Sequence, residues 1–203
     1  MENEQYLLSR DMWSHFFKED DLDRNLYYKN KLPNSMVACE LLIKSDLVLA
    51  GLPFLVECFS YLGHSIEQKE SILKWEGTSH LKEDNFSIKF ELPFNLALTG
   101  ERIALNLLQK VSSIATYTKS YVDQASKLGI TILDTRKTTP GLRGIEKYAV
   151  RLGGGKNHRL GQTDLWMVKD NHKNFFGGVK EAIDFFKEVG SFYNEIEVEI
   201  HNL

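Results

Sequence analysis

Cysteine is scarce in this sequence. The two that occur, Cys39 and Cys58, stand at neither CxxC nor zinc-ligand spacing, which excludes a structural zinc site built on them. Both lie in apolar runs and read as reduced core residues, in keeping with a cytosolic setting. Positive charge is also not in excess. With 25 Lys and Arg against 28 Asp and Glu, the formal net charge is −3, and the broad basic footprint of a nucleic-acid or membrane-surface binder is missing. No apolar run approaches the ~18 residues that span a bilayer, and the opening MENEQYLLSR lacks the apolar core of a signal peptide. A cytoplasmic protein is expected. Internal repeats, low-complexity tracts and long linkers are likewise absent. What remains is an ordinary globular composition, 42% hydrophobic over 203 residues, enough to bury a sizeable core in one or two domains.

Periodicity divides the chain into two grammars. Over residues 1–22, Tyr6, Leu7, Met12, Trp13, Phe16 and Phe17 are spaced as in one or two short amphipathic helices. Val37–Ile43 and Leu47–Ala50 read as strands, and Gly51 and Pro53 lead into a helix near 53–62 that Gly63 ends. SILKWEG and NFSIKFELPF read as further strands, the second alternating through Phe86, Ile88, Phe90 and Leu92. A long helix is expected from Thr99–Gly100 through Ile103, Leu107, Val111, Ile114 and Tyr121, closed by Gly129. From there strands and helices alternate: strand Ile130–Leu133, helix Gly144–Leu152, strand Leu165–Val168, helix Val179–Val189, strand Ile196–Ile200. That alternation indicates βαβ units and a parallel sheet. The expected class is α/β: an α+β sandwich over 1–110, then part of an α/β barrel over 111–203. A closed barrel takes ~250 residues, so three strands ending on IEVEIHNL read as an incomplete one.

Within the second region, LDTRKTTPGLRGIEKYAVRLGGGKNHRLGQTD concentrates cations and glycines in an otherwise mildly acidic chain. In α/β barrels the working residues follow the C-terminal ends of strands. Arg136 and Lys137 follow one expected strand, and Lys169 and Asp170 another. Glu197 and Glu199 share a strand face, and His158 and Arg159 follow Gly153-Gly154-Gly155. Glycines there let backbone and ligand approach closely. Such a mouth suits a planar dicarboxylate or a phosphorylated sugar, which Arg binds in a fork and Lys as a point charge. Taken singly, each signal has a simpler reading. A glycine run after a helix is an ordinary C-cap and loop. Lys147 and Arg151 read as solvated surface charges, His172 as a loop or capping residue, and Trp13, Trp75 and Trp166 as core or interface aromatics.

The segments GERIALNLLQKVSSIATYTKSYV, LDTRKTTPGLRGIEKYAVRLGGGKNHRLG and KDNH resemble the signature segments of quinolinate phosphoribosyltransferase, also called nicotinate-nucleotide pyrophosphorylase (carboxylating). The resemblance covers about residues 36–203 and is dense from 99 to 172. It implies transfer of a phosphoribosyl group from phosphoribosyl pyrophosphate to quinolinate, with Mg²⁺. The products would be nicotinate mononucleotide, pyrophosphate and CO₂, in de novo NAD synthesis. It also implies a homodimer in which each barrel mouth is completed by the neighbour's N-terminal domain. Carried over by motif, Arg136, His158, Arg159 and Lys169 would hold the quinolinate carboxylates, and Arg102 would reach into the partner's site. Lys137, Lys169 and Glu199 would face phosphoribosyl pyrophosphate, with Glu199 touching its metal indirectly.

This sequence departs from the pattern at its C-terminus, where the family continues into further barrel strands. Those strands supply a metal-side aspartate and the glycine loops that cradle the 5′-phosphate. Two expectations follow. One is an enzyme of this family; the other is a truncated, non-catalytic paralogue that binds quinolinate or pairs with a complete subunit.

Overall fold

The structure is a computed structural model that describes residues 8–20, 30–190 and 195–201. Tyr6 and Leu7 of the expected N-terminal helix lie outside these residues. Helices and strands mix in an α/β fold, and the chain divides into two compact units. The first comprises Met1–Asp134 and Thr138–Asn157, the second Thr135–Lys137 and His158–Leu203.

In the first unit, helix α1 (Arg10–Glu19) starts at Ser9, whose hydroxyl accepts from the Met12 amide at 3.2 Å. Its apolar stripe buries Trp13 and Phe17, and both rings stack on Tyr61 of helix α2 (Leu52–Tyr61). Strand β1 (Met36–Leu42) pairs antiparallel with β4 (Ser87–Pro93), from Met36 opposite Pro93 to Leu42 opposite Ser87. The period-2 pattern turns Ile88, Phe90 and Leu92 of β4 inward. Strands β2 (Leu47–Leu49) and β3 (Thr78–His80) form a separate antiparallel pair.

SILKWEG, expected as a strand, is instead helix α3 (Lys69–Leu73) followed by a turn. A short apolar run carries no period that separates strand from helix, and only Ile72 of this helix is buried. Strand β3, which follows it, carried no sequence signal.

The spine is helix α4 (Phe94–Ala125), capped by Pro93 and starting five residues before the expected start at Thr99. Proline is pre-set for a helix start and needs no amide partner there. Ile103, Leu107 and Val111 are buried as expected, whereas Tyr121 is exposed and lies off the core stripe. Two hydroxyls of α4 complete the backbone bonding of β2 and the residue after it. Thr116 Oγ1 accepts from the Val48 amide at 2.9 Å. Ser112 Oγ accepts from the Ala50 amide at 3.0 Å and donates to its carbonyl at 2.9 Å. Gly129 closes the helical run in the left-handed region, φ +70°.

Both cysteines are free. Cys58 is fully buried, and burial pushes its thiol up to about 12. Cys39 is only half-buried, less than a core position, and burial raises its thiol too. A thiolate-selective reagent at about pH 8 is expected to label Cys39 in the folded protein and Cys58 only on unfolding. Mass mapping of the labelled peptides checks this, and equal labelling rates would contradict it.

After α4, Ile130–Leu133 does not form the expected strand. It makes a single parallel bridge, Leu133 opposite Lys156. Helix α5 (Arg143–Leu152) follows and ends at Gly153. In the second unit, β5 (Trp166–Val168) and β6 (Ile196–Val198) pair in parallel, with Met167 opposite Glu197. Helix α6 (Asp170–Phe176), not anticipated in the sequence, fills the turn after β5, and α7 (Val179–Val189) has the expected bounds. Trp166 meets Phe186 of α7 edge-on at 5.2 Å, while Phe176 and Phe185 stack at 4.5 Å.

Candidate active site

Parallel pairing brings strand C-termini together, and the candidate residues follow those ends. Val168 closes β5 and Val198 closes β6, and the pairing extends one step as the Glu199 amide donates to the Val168 carbonyl at 2.9 Å. Lys169 and Glu199, each the first residue beyond its strand, therefore emerge side by side and form an ion pair. The Lys169 ammonium holds the Glu199 carboxyl below its ordinary range, so Glu199 is a carboxylate at neutral pH. Next to it, the Lys173 ammonium and the His201 ring lie against Asp170 at 2.7 Å each, and Lys173 is the larger cause of the lowered Asp170 carboxyl. Asp170, Glu199 and His201 place ligand atoms within 4.8 Å of one another.

The other parallel bridge is followed by the other cations. Arg136 and Lys137 come just after Leu133, and His158 and Arg159 just after Lys156. Lys137 is exposed, with its amide turned onto Thr135 Oγ1 at 3.0 Å. Arg136 is half-buried, and among the described residues its buried Nε has no hydrogen-bond partner. The His158 ring nitrogen Nε2 lies 2.8 Å from Glu197 Oε2. Arg159 donates to the Leu165 carbonyl at 2.8 Å and touches Met167 Sδ at 3.7 Å. Arg136, Lys137, His158, Arg159, Lys169 and Glu199 all belong to the second unit. Arg102 belongs to the first and is exposed on α4.

Two readings of the cluster are corrected. Lys147 is not a solvated surface charge: its side chain is 1% exposed and paired with Asp134, itself 6% exposed. Spacing on a helix surface cannot reveal a buried acid thirteen residues away. The glycines, too, serve packing more than ligand approach. A Cβ on Gly153 would sit 2.4 Å from the Ala115 carbonyl oxygen, and one on Gly155 would sit 2.7 Å from Val150 Cγ1. Gly154 adopts φ +88°, the left-handed region. The simpler reading, helix end and loop, holds for this run. His172 does cap: its Nδ1 accepts from the Lys169 amide at 2.9 Å.

Known proteins are similar to this chain. The family described as quinolinate phosphoribosyl transferase, C-terminal domain, matches residues 114–203. Solved structures superpose over nearly the whole chain. A NadC deletion mutant gives TM-score 0.82 at 33% identity, covering 95% of this chain and 67% of its own. NadC from Streptococcus pyogenes gives TM-score 0.78 at 32% identity, covering 96% of this chain and 71% of its own.

The chain belongs to the quinolinate phosphoribosyltransferase family.

A probable nicotinate-nucleotide pyrophosphorylase [carboxylating] of Bacillus subtilis is 38% identical over 195 residues, 96% of this chain and 66% of the relative. The chain thus spans somewhat less than two thirds of that relative, and 53% of a similarly named Synechocystis protein. Glu197 and His201 touch the candidate residues His158, and Asp170 and Glu199, respectively, and motif reading assigned neither a role. Glu197 had a signal, since its alternation with Glu199 put it on the same strand. His201 had none, because a lone histidine near a chain end carries no pattern.

Proposed function

We propose that the protein transfers the phosphoribosyl group of phosphoribosyl pyrophosphate to quinolinate with decarboxylation. The products are nicotinate mononucleotide, pyrophosphate and CO₂, in NAD biosynthesis. One observation carries this reading: Lys169 beside ionised Glu199 at the ends of two parallel strands, with Arg136, Lys137, His158 and Arg159 in the same unit. A non-catalytic paralogue is not favoured. The match over 114–203 supports a domain boundary near 110, between a sandwich over 1–110 and the first part of a barrel over 111–203, while the compact units divide after Asp134 and Asn157.

In this reading Arg136, His158, Arg159 and Lys169 hold the two carboxylates of quinolinate. A ligand carboxylate would satisfy the orphaned Arg136 Nε. The pyridine nitrogen forms its bond to ribose C1 as the C1–O bond to pyrophosphate breaks. Positive charge develops on the sugar, where the Glu199 carboxylate stabilises it, and negative charge develops on pyrophosphate, where Lys137 stabilises it. The ribosylated ring is cationic, so the bond from C2 to its carboxylate breaks with the electron pair held at C2. CO₂ leaves and a proton takes its place. No protein nucleophile is needed. The Asp170 carboxylate would offer a hard oxygen donor of the kind Mg²⁺ takes, and Glu199 would meet the ion indirectly. The ion would supply charge neutralisation for the leaving pyrophosphate. A cytoplasmic homodimer, with Arg102 reaching the partner's site, completes the reading.

The test is loss of quinolinate that depends on phosphoribosyl pyrophosphate, measured with the intact gene product against its Lys137→Ala variant. No turnover above the control would refute the reading. Arg136→Ala is expected to lower kcat/KM by about 2–4 kcal/mol, roughly 30- to 1000-fold. Unchanged quinolinate kinetics would remove Arg136 from the site.

A further inference from the structure

Among the described residues Lys147 is the most buried charge of the first unit, and the chemistry above does not use it. Its ammonium donates to Asp134 Oδ1. The other Asp134 oxygen accepts from Asn157 Nδ2 at 2.6 Å, and the same amide nitrogen lies 2.9 Å from the Lys147 carbonyl. The backbone repeats the tie: the Asp134 amide donates to Lys156 O at 3.1 Å, and the Lys156 amide to Ile132 O at 2.9 Å. Helix α5 presents Lys147 from among buried Ile145, Tyr148 and Ala149.

A buried ion pair is a poor source of stability, since apolar residues of similar volume often serve as well or better, but it holds one geometry. Here the geometry falls at two particular peptides. Asp134 and Asn157 are the residues at which the chain leaves the first unit, one step before Thr135–Lys137 and one step before His158. We propose that Lys147, Asp134 and Asn157 form a positioning clamp that fixes the spacing between the Arg136-Lys137 and His158-Arg159 pairs, and so selects a ring with two adjacent carboxylates. This rests on the site reading given above. The trio touches no substrate; it acts through the residues that follow it. A ligand gripped from two loops at a set separation loses one grip when the separation drifts, whereas a one-carboxylate ligand needs a single loop.

The test titrates the folded chain with quinolinate (pyridine-2,3-dicarboxylate) and nicotinate (pyridine-3-carboxylate) by calorimetry. The wild type is compared with the apolar replacement Lys147→Met/Asp134→Val and with Asn157→Ala. The wild type is expected to prefer quinolinate by about tenfold or more. The apolar pair is expected to keep the melting temperature within a few degrees and lose most of that preference, and Asn157→Ala should lose part of it. A folded apolar pair with its preference intact overturns the clamp and leaves the site reading standing. A wild type that binds neither compound counts against the site reading, and hydrogen exchange then decides on the clamp. Faster exchange confined to the Asp134 and Lys156 amides in the apolar pair supports it, and unchanged protection overturns it. Loss of the fold in both variants would make the trio a requirement for folding itself, which also overturns the proposal.

Discussion

Glu76→Gln is expected to destabilise the protein by about 1–3 kcal/mol, the range for leaving a buried hydrogen-bond donor unsatisfied. The reason lies at the start of α2. Gly51 caps that helix at φ +105°, and Pro53 removes one amide from its first turn. The Gly51 and Leu52 amides remain, and the two Glu76 carboxylate oxygens accept from them at 2.7 and 2.8 Å. Tyr148 of α5 donates to the same carboxylate at 2.8 Å. Glutamine offers one acceptor oxygen and would turn its NH₂ toward a donor, leaving at least one buried amide unsatisfied. Tyr148→Phe removes only the third bond and should lose about 1–2 kcal/mol.

Burial pushes the Glu76 carboxyl up from its ordinary range, against the pull of its three donors. The sign follows from linkage. A carboxyl raised by folding contributes stability that is full below its unfolded value, about 4.3, and lost as pH rises through the folded value. The gap between wild type and Glu76→Gln should therefore be widest near pH 4 and narrower at neutrality. Glu57, also raised by burial, contributes equally to both proteins and drops out of the difference. Urea unfolding across that pH range is the measurement. A gap below about 1 kcal/mol, or one that widens with pH, would refute the account of the cap.

The sequence made visible what depends on period and on chain order. The β4 alternation, the buried stripe of α4, and the strand–helix–strand order around Lys169 and Glu199 all repeat within a few residues. The strand-end rule then set Lys169 and Glu199 side by side, as β5 and β6 bear out, whereas the strand expected before Arg136 and Lys137 is only a bridge. What escaped depends on partners far along the chain. Lys147 looked like any helix-surface lysine until Asp134 and Asn157 closed over it. Glu76 looked like the polar end of a strand, and it is a helix cap for residues 24 and 25 positions earlier. The expected strand at 130–133 shrank to one bridge because its partner side supplied only Lys156. Ion pairs and caps of this kind leave no period in the sequence. Only burial reveals them.

Gly153→Ala is expected to destabilise by about 3 kcal/mol or more, the upper end for overpacking. Its backbone angle is one any residue adopts, φ −76°, so conformational strain is not the cause. The added Cβ would lie 2.4 Å from the Ala115 carbonyl oxygen and 2.6 Å from Thr118 Cβ. Both obstacles belong to α4 and neither can rotate away, so α5 must move off the spine helix. Two neighbours separate this steric effect from loss of glycine's freedom. Gly141, at φ +81°, has nothing within 4 Å of where an added methyl group would sit, so Gly141→Ala should lose only about 1 kcal/mol or slightly more from the left-handed backbone. Gly154 combines φ +88° with a Val122 contact at 3.2 Å and should fall between the two. Trimming Thr118→Ala beside Gly153→Ala should restore little, because the clash is with a backbone oxygen and with a Cβ that alanine keeps. Thermal unfolding of the four variants gives the order. Equal losses at Gly141 and Gly153, or rescue by Thr118→Ala, would mean that α5 can shift along α4 freely, and the close seat of the glycine run on the spine helix would have to be abandoned.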